Sequence, residues 1–233
     1  MRSFCICRRG VLSMRIRIKF TKNEIVKYLG HLDIMRTFQR CFHRADVKMT
    51  YSEGFNPHQK MNFALPLGVG IASRGEYLDA EITDGQDPKL ICSNLDMVTG
   101  SGFDILDVRA LKENAEKAMA SVRYASYEIE WMDTPGFDLA DYCSQPVILI
   151  RKLTKSGEKD VDIKPMLVDM QMNGSVLNIL MKAGSESNVK PELIAKDLMK
   201  FHELPYIRDQ IRITRTELYA AGITPLIDYQ TVL

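Results

Sequence analysis

Covalent and metal frameworks have little to build on in this 233-residue sequence, which holds five cysteines, at positions 5, 7, 41, 92 and 143. Their number is odd and they are scattered beside apolar segments, which argues against a disulfide framework. Only Cys5 and Cys7 are close, and Cys-x-Cys is neither a zinc nor an iron–sulfur spacing, so no metal site is expected. In a reducing compartment they serve as small apolar residues. Long hydrophobic runs are also missing. The greasiest stretch, Pro146-Val147-Ile148-Leu149-Ile150, has the length of a strand and falls far short of the ~20 residues that span a bilayer. Residues 1–13 carry Arg2, Arg8 and Arg9 without the apolar region and cleavage pattern of a secretory signal. A soluble, cytoplasmic protein with no membrane contact is therefore expected. Neither a Gly-x-x-x-x-Gly-Lys-Ser/Thr phosphate loop nor a nucleophile elbow around Ser52 or Ser73 is present.

What the sequence does have is ordinary globular composition, 45% hydrophobic and 26% charged, enough for two cores of ~100 residues each. Its net charge of +1 hides an asymmetry. Residues 1–75 carry a surplus of +10, residues 76–120 a deficit of −6, and the remainder −3. One end is thus expected to offer a basic face to a polyanion. Met14 is followed at once by a strand-like alternation, and we expect it to be the biological start, with residues 1–13 a mis-called extension.

Arg15–Lys22 alternates Ile16, Ile18 and Phe20 with Arg15, Arg17 and Lys19, the pattern of a strand with one face in a core and a row of cations on the other. Over His31–Ala45 the apolar residues Leu32, Met35, Phe38, Phe42 and Ala45 recur at helical spacing. Short strands are predicted at Val47–Tyr51, Glu76–Thr83 and Phe103–Ala110. A helix from Asp87-Pro88 to about Leu95 has Asp87 as N-cap. This β-α-β-β-α-β order predicts a ferredoxin-like (split βαβ) domain over 14–110. A linker at 111–121 leads to a second half with the same order over 122–220, followed by a tail at 221–233. That half has strands at Val122–Met132, Val147–Leu153, Val161–Asp169, Val176–Met181 and Gln210–Tyr219. Its helices fall at Phe137–Tyr142 and Lys190–Phe201, the latter opened by Pro191 after Asn188, and a turn is expected at Lys155-Ser156-Gly157-Glu158. The fold expected is α+β, two tandem ferredoxin-like domains with antiparallel sheets.

Two features invite a ligand. Arg36, Arg40 and Arg44 follow one another at steps of four along the first helix, with Gln39 and His43 nearby. Like charges at that spacing repel, so an anion against them, or acids such as Glu76, Asp79 and Glu81 on a neighbouring element, would relieve the stripe. The Gly/Pro-rich segment from Ser52 to Gly75 is long for a compact domain, and its Asn56, His58, Lys60 and Arg74 are candidates to join the arginines around a phosphate. The alternative is a structural hairpin packed by Phe55, Phe63 and Leu65. His31, Asp33 and His58 are the candidates for acid/base chemistry, since histidine titrates near neutrality. Lys164, Arg212 and Arg215 either extend the basic face or occupy ordinary solvent-facing strand positions.

Taken together, Tyr28-Leu29-Gly30-His31-Leu32-Asp33, Met35-Arg36, Tyr51-Ser52-x-Gly54-Phe55-Asn56-Pro57-His58-x-Lys60, Phe63-Ala64-x-Pro66-Leu67-x-x-Gly70 and Glu76-Tyr77-x-Asp79 resemble the bacterial radical SAM-linked family. Val161-Asp162-Ile163-Lys164-Pro165 and Arg212-Ile213-Thr214-Arg215 extend the resemblance over most of residues 14–220. It implies a domain of unknown function that lies beside, or is fused to, a radical SAM protein. This chain lacks the Cys-x-x-x-Cys-x-x-Cys of the radical SAM half. The iron–sulfur cluster and S-adenosylmethionine are therefore expected on that partner, and no cofactor in this chain. The expected role is an accessory protein without catalytic activity of its own that recognises or presents RNA or another phosphate-bearing substrate. The alternatives are a pure protein–protein scaffold for the radical SAM partner and a metal-independent acid/base enzyme acting on RNA.

Overall fold

A computed structural model of the chain describes residues 13–154, 157–184 and 189–232. Cys5, Cys7, all of the expected extension except Ser13, Lys155 and Ser156 of the expected turn, and Asn188 lie outside the described residues. The elements, in chain order, are β1 (Ser13–Lys22), α1 (His31–Arg44), β2 (Met61–Phe63), β3 (Ala72–Thr83), α2 (Pro88–Thr99), β4 (Ile105–Leu111) and α3 (Ala118–Ser121). They continue as β5 (Tyr124–Trp131), α4 (Leu139–Ser144), β6 (Leu149–Thr154), β7 (Gly157–Asp162), β8 (Leu167–Asn173), β9 (Val176–Lys182), α5 (Pro191–Phe201), β10 (Ile211–Tyr219) and β11 (Thr231–Val232). No helix among the described residues is long and apolar enough to cross a membrane.

The expected pair of separate antiparallel sheets is not what forms. Apart from β6 and β7, which pair with each other as a separate antiparallel hairpin, the strands join into one mixed sheet, nine-stranded among the described residues, in the order β11-β4-β1-β3-β10-β5-β9-β8, with β2 also on β3. The seam is parallel, Ala72 and Ser73 of β3 pairing with Thr214 and Arg215 of β10. It forms because β2 is short: it covers β3 only at Leu78–Ala80, leaving Ala72 and Ser73 as an open edge that β10 closes. An unpaired edge exposes backbone donors and acceptors, and joining the halves removes two such edges at once. Alternation along each strand announces a strand but not its partner, so the sequence held no sign of this pairing.

On one face of β1 and β3, Ile16, Ile18, Phe20, Leu78, Ala80 and Ile82 pack under α1 and α2. Phe20 and Phe38 meet at 4.6 Å between ring centroids. Helix α1 buries Ile34, Phe38, Cys41 and Phe42, whereas Leu32 is exposed and Met35 half-buried, so its buried stripe is turned from the predicted one. Helix α2 starts as expected, the Asp87 side chain accepting from Lys89 N at 3.0 Å with Pro88 next. The second core lies between β5, β9 and β10 and the helices α4 and α5, around Ile129, Leu177, Ile213, Tyr142, Ile194 and Leu198. The segment 111–121 contributes buried Ala115 and Ala118, and the C-terminal segment buries Leu226 and Ile227 and adds β11 to β4.

Gly75 holds the seam close. A Cβ there would lie 2.7 Å from the Thr216 carbonyl oxygen and 2.8 Å from Glu217 Cα, both backbone atoms of β10. Backbone cannot swing aside as a side chain can, so Gly75→Ala must push β3 and β10 apart. The expected loss is ~1–3 kcal/mol of stability, read from the urea midpoint.

Candidate functional site

The arginine stripe is formed as the helical spacing requires. Arg36, Arg40, His43 and Arg44 are all exposed, on the side of α1 away from its buried residues. Arg36 has Asp33 at 3.6 Å, both side chains open to solvent. Among the described residues, Arg40 and Arg44 have no carboxylate within ion-pairing distance. The acids that could have neutralised the stripe are engaged elsewhere: Glu76 with Arg215, Asp79 with Arg17 and Glu81 with Lys60.

The long segment is more ordered than its composition suggests. Tyr51 bridges Gln59, Ser52 N donates to the His58 carbonyl, and His58 N donates to Ser52 Oγ, closing a hairpin-like turn. Gln59 Nε2 lies 3.5 Å from the Gln39 carbonyl, which sets this turn beside α1. Phe55 stands fully exposed on it, Tyr51 is half exposed, and Asn56 and His58 are exposed. Phe63, by contrast, is buried under α1, and Leu65 packs against the second core.

Not every candidate joins the stripe. Lys60 pairs with Glu81 at 3.0 Å, on the sheet face opposite α1, where Asp79 and Glu81 alternate with Ala80 and Ile82. A bulge in β3 between Ser73 and Glu76 turns Arg74 to that same face, where it ion-pairs with Glu128 of β5. His31 meets Phe63 edge-on at 5.1 Å, Asp33 faces Arg36, and His58 stays on the exposed turn. Among the described residues no group of three His, Cys, Asp or Glu is placed to hold a metal.

Two buried ionic clusters lie where the sequence suggested solvent. In the first, Arg17, fully buried, donates Nε and Nη2 to Asp79 at 2.7 and 3.0 Å. Its Nη1 donates to the carbonyls of Leu226 and Tyr229 at 2.9 and 3.2 Å, and Ala118 N donates to Asp79 Oδ2 at 2.9 Å. Beside it, Tyr77 donates to Glu217 Oε1 at 2.6 Å and Lys19 pairs with Glu217 Oε2 at 2.5 Å. Burial first, then the Glu217 carboxylate, raises the Tyr77 hydroxyl well above the ordinary tyrosine pKa.

The second cluster straddles the parallel seam. Arg215, buried, donates Nε to Glu76 Oε1 at 2.8 Å, bonds the same oxygen through Nη2, and donates Nη2 to the Leu65 carbonyl at 2.7 Å. Burial opposes the guanidinium charge, and Glu76 overrides it, holding Arg215 above its usual pKa. Lys22 is fully buried, and its Nζ has no hydrogen-bond partner among the described residues. Burial pushes the Lys22 pKa down, Glu76 pulls it up and Arg215 pushes it down again. Lys22 and Glu76 are not among the ligand-site residues expected from the sequence, and Arg215 reads there as part of a basic face or as an ordinary solvent-facing strand residue. One signal was available: Lys22 breaks the parity of Arg15, Arg17 and Lys19, which places it on the apolar side of its strand. Of the other second-half cations, Lys164 donates to the Cys143 carbonyl and Arg212 pairs with Glu130 at 3.0 Å.

Residues 15–191 match the model of a family described as "Uncharacterized protein conserved in bacteria (DUF2344)". No curated protein matches. Among solved structures, "Crystal Structure of an Unknown Protein from Galdieria sulphuraria" aligns at 10% identity over 95% of this chain and 99% of that chain, with a TM-score of 0.27, too low to carry any argument.

Proposed function

We propose a function for a chain that belongs to DUF2344, an uncharacterized family conserved in bacteria: it is an accessory binding protein that holds a phosphate-bearing substrate, RNA first, on the exposed face of α1 and presents it to a radical SAM protein. The observation that carries this reading is the stripe Arg36, Arg40 and Arg44, whose last two members lack a carboxylate among the described residues. At 1.5 Å rise per residue the three span about 12 Å, the reach of several backbone phosphates rather than one small anion. Exposed Phe55 and Tyr51, on the turn that Gln59 sets beside α1, offer faces on which unpaired bases can stack. The partner rests on the motif resemblance alone.

The test is filter binding of single-stranded RNA by the protein and by a variant with Arg36, Arg40 and Arg44 changed to Ala. Affinity is expected to fall at least tenfold, and the slope of log affinity against log salt to flatten by ~2, from ~0.7 per lost phosphate contact. Equal binding by both proteins contradicts the reading. Phe55→Ala separates the scaffold alternative: loss of co-purification with a radical SAM protein while RNA affinity is kept would assign the turn to the partner.

A further inference from the structure

The two ends of the nine-stranded sheet are finished differently. At one end β11 pairs with β4 at Leu111 and Ala110, and Asp96 of α2 accepts the Ile105 N–H at 2.9 Å, so that edge is partly covered. At the other end β8 pairs with β9 alone among the described residues. Past the bulge between Leu167 and Asp169, the stretch Asp169–Asn173 is regular and holds neither proline nor lysine, the residues that commonly block sheet edges. The turn at Gly174 and Ser175 settles which groups face outward. It closes on Asn173 and Val176 as a hydrogen-bonded pair, and bonding alternates along an antiparallel ladder, so Asn173, Gln171 and Asp169 are the residues bonded to β9. The N–H and C=O groups of Met170 and Met172 therefore point away from the sheet. Their side chains lie half-buried against the second core, while Asp169, Gln171 and Asn173 are exposed on the opposite face.

We infer that β8 is an interface between two copies of this chain, joined antiparallel about a two-fold axis at Gln171. In that register Met170 exchanges both backbone hydrogen bonds with the partner's Met172, and Met172 does the same with the partner's Met170. The same pairs set thioether against thioether and cover side chains left half open in one copy. On the other face Asp169 meets the partner's Asn173. Within one copy Asp169 accepts only from Gln171 Nε2, at 2.9 Å, and the Asn173 side chain has no partner among the described residues, so carboxylate and amide are free to bond across the axis. The two Asp169 carboxylates stand four strand residues apart, about 14 Å, and no like charges meet. Centring on Gln171 uses every regular residue of the strand, whereas a shifted register runs into the bulge or the turn. This self-complementarity is what selects a second copy as the occupant. The interface rests on strand register and is independent of the α1 surface.

The test is sedimentation velocity of the full chain across a concentration series into the submillimolar range, with a concentration-dependent dimer expected because the paired stretch is short. Gln171→Lys and Gln171→Glu each place two like charges on the axis and should weaken the dimer at least fivefold, with melting temperature unchanged since position 171 is exposed. Mixing the two variants should restore association, which neither a folding defect nor a different interface would do. Gln171→Cys brings two thiols together at a non-hydrogen-bonded pair, with Cα atoms about 4.5 Å apart, and should cross-link under copper–phenanthroline and air. Asp169→Cys, equally exposed on the same face, should stay at the background set by the unmodified chain. A chain that stays monomeric throughout, as it would if β8 pairs with a strand of some other protein, overturns the inference. So do Lys and Glu variants that fail to associate when mixed, or cross-linking at position 169 equal to that at 171.

Discussion

Asp79→Ala is expected to lower the unfolding free energy by about 3–5 kcal/mol, because it strips the counter-charge from a guanidinium that has no solvent to turn to. Asp79 receives two hydrogen bonds from Arg17 and one from Ala118 N, and Arg17 in turn holds the carbonyls of Leu226 and Tyr229. Removing the carboxylate therefore loosens three parts of the chain at once: β3, the start of α3 and the C-terminal segment. The readout is urea unfolding followed by the fluorescence of Trp131, the chain's one tryptophan, which sits on β5 across the seam. One continuous sheet should carry the damage to that distant probe. A loss below about 1 kcal/mol, the worth of an exposed pair, would show that Arg17 reaches water instead. Replacing both partners by apolar residues of similar volume, Arg17→Met with Asp79→Leu, should recover much of the loss, since what is costly is the lone charge and not the absence of the pair.

Glu76→Ala should be as damaging, about 3–5 kcal/mol, for a related reason. It leaves Arg215 and Lys22 as two buried cations with no carboxylate between them. Here the rescue is asymmetric. Adding Lys22→Met to Glu76→Ala removes one of two mutually repelling charges and costs no hydrogen bond made within the described residues, so the double variant should be more stable than Glu76→Ala alone. The double-mutant cycle gives the coupling energy directly. A double variant no more stable than Glu76→Ala would mean that Lys22 is not charged beside Arg215.

How much of this was legible in the sequence depended on how local the determining contacts are. The helix over His31–Arg44, the Asp87 cap with Pro88 and the start of α5 at Pro191 are written within a few residues of themselves, and each stands in the structure. The arginine stripe belongs to the same class, because one helix places its three members. The cations of β1 show the opposite case. Alternation correctly separates Arg15, Arg17 and Lys19 from Ile16, Ile18 and Phe20, but what covers the charged side is set by Leu226 and Tyr229, about two hundred positions away in a segment that reads as a tail. Lys60 and Arg74 looked like companions of the stripe, and only the register of β3 and its bulge shows that Glu81 and Glu128 take them to the other face. The two expected sheets became one for the same reason: pairing between distant edges leaves no mark on local periodicity.

The proposed role requires the arginine face of α1 to meet a polyanion. The direct measurement is the affinity of the unmodified protein for single-stranded RNA across a series of salt concentrations. Three phosphate contacts predict a straight line of log affinity against log salt with a slope of about −2 or steeper. A flat line, or no binding at the lowest salt, would contradict it.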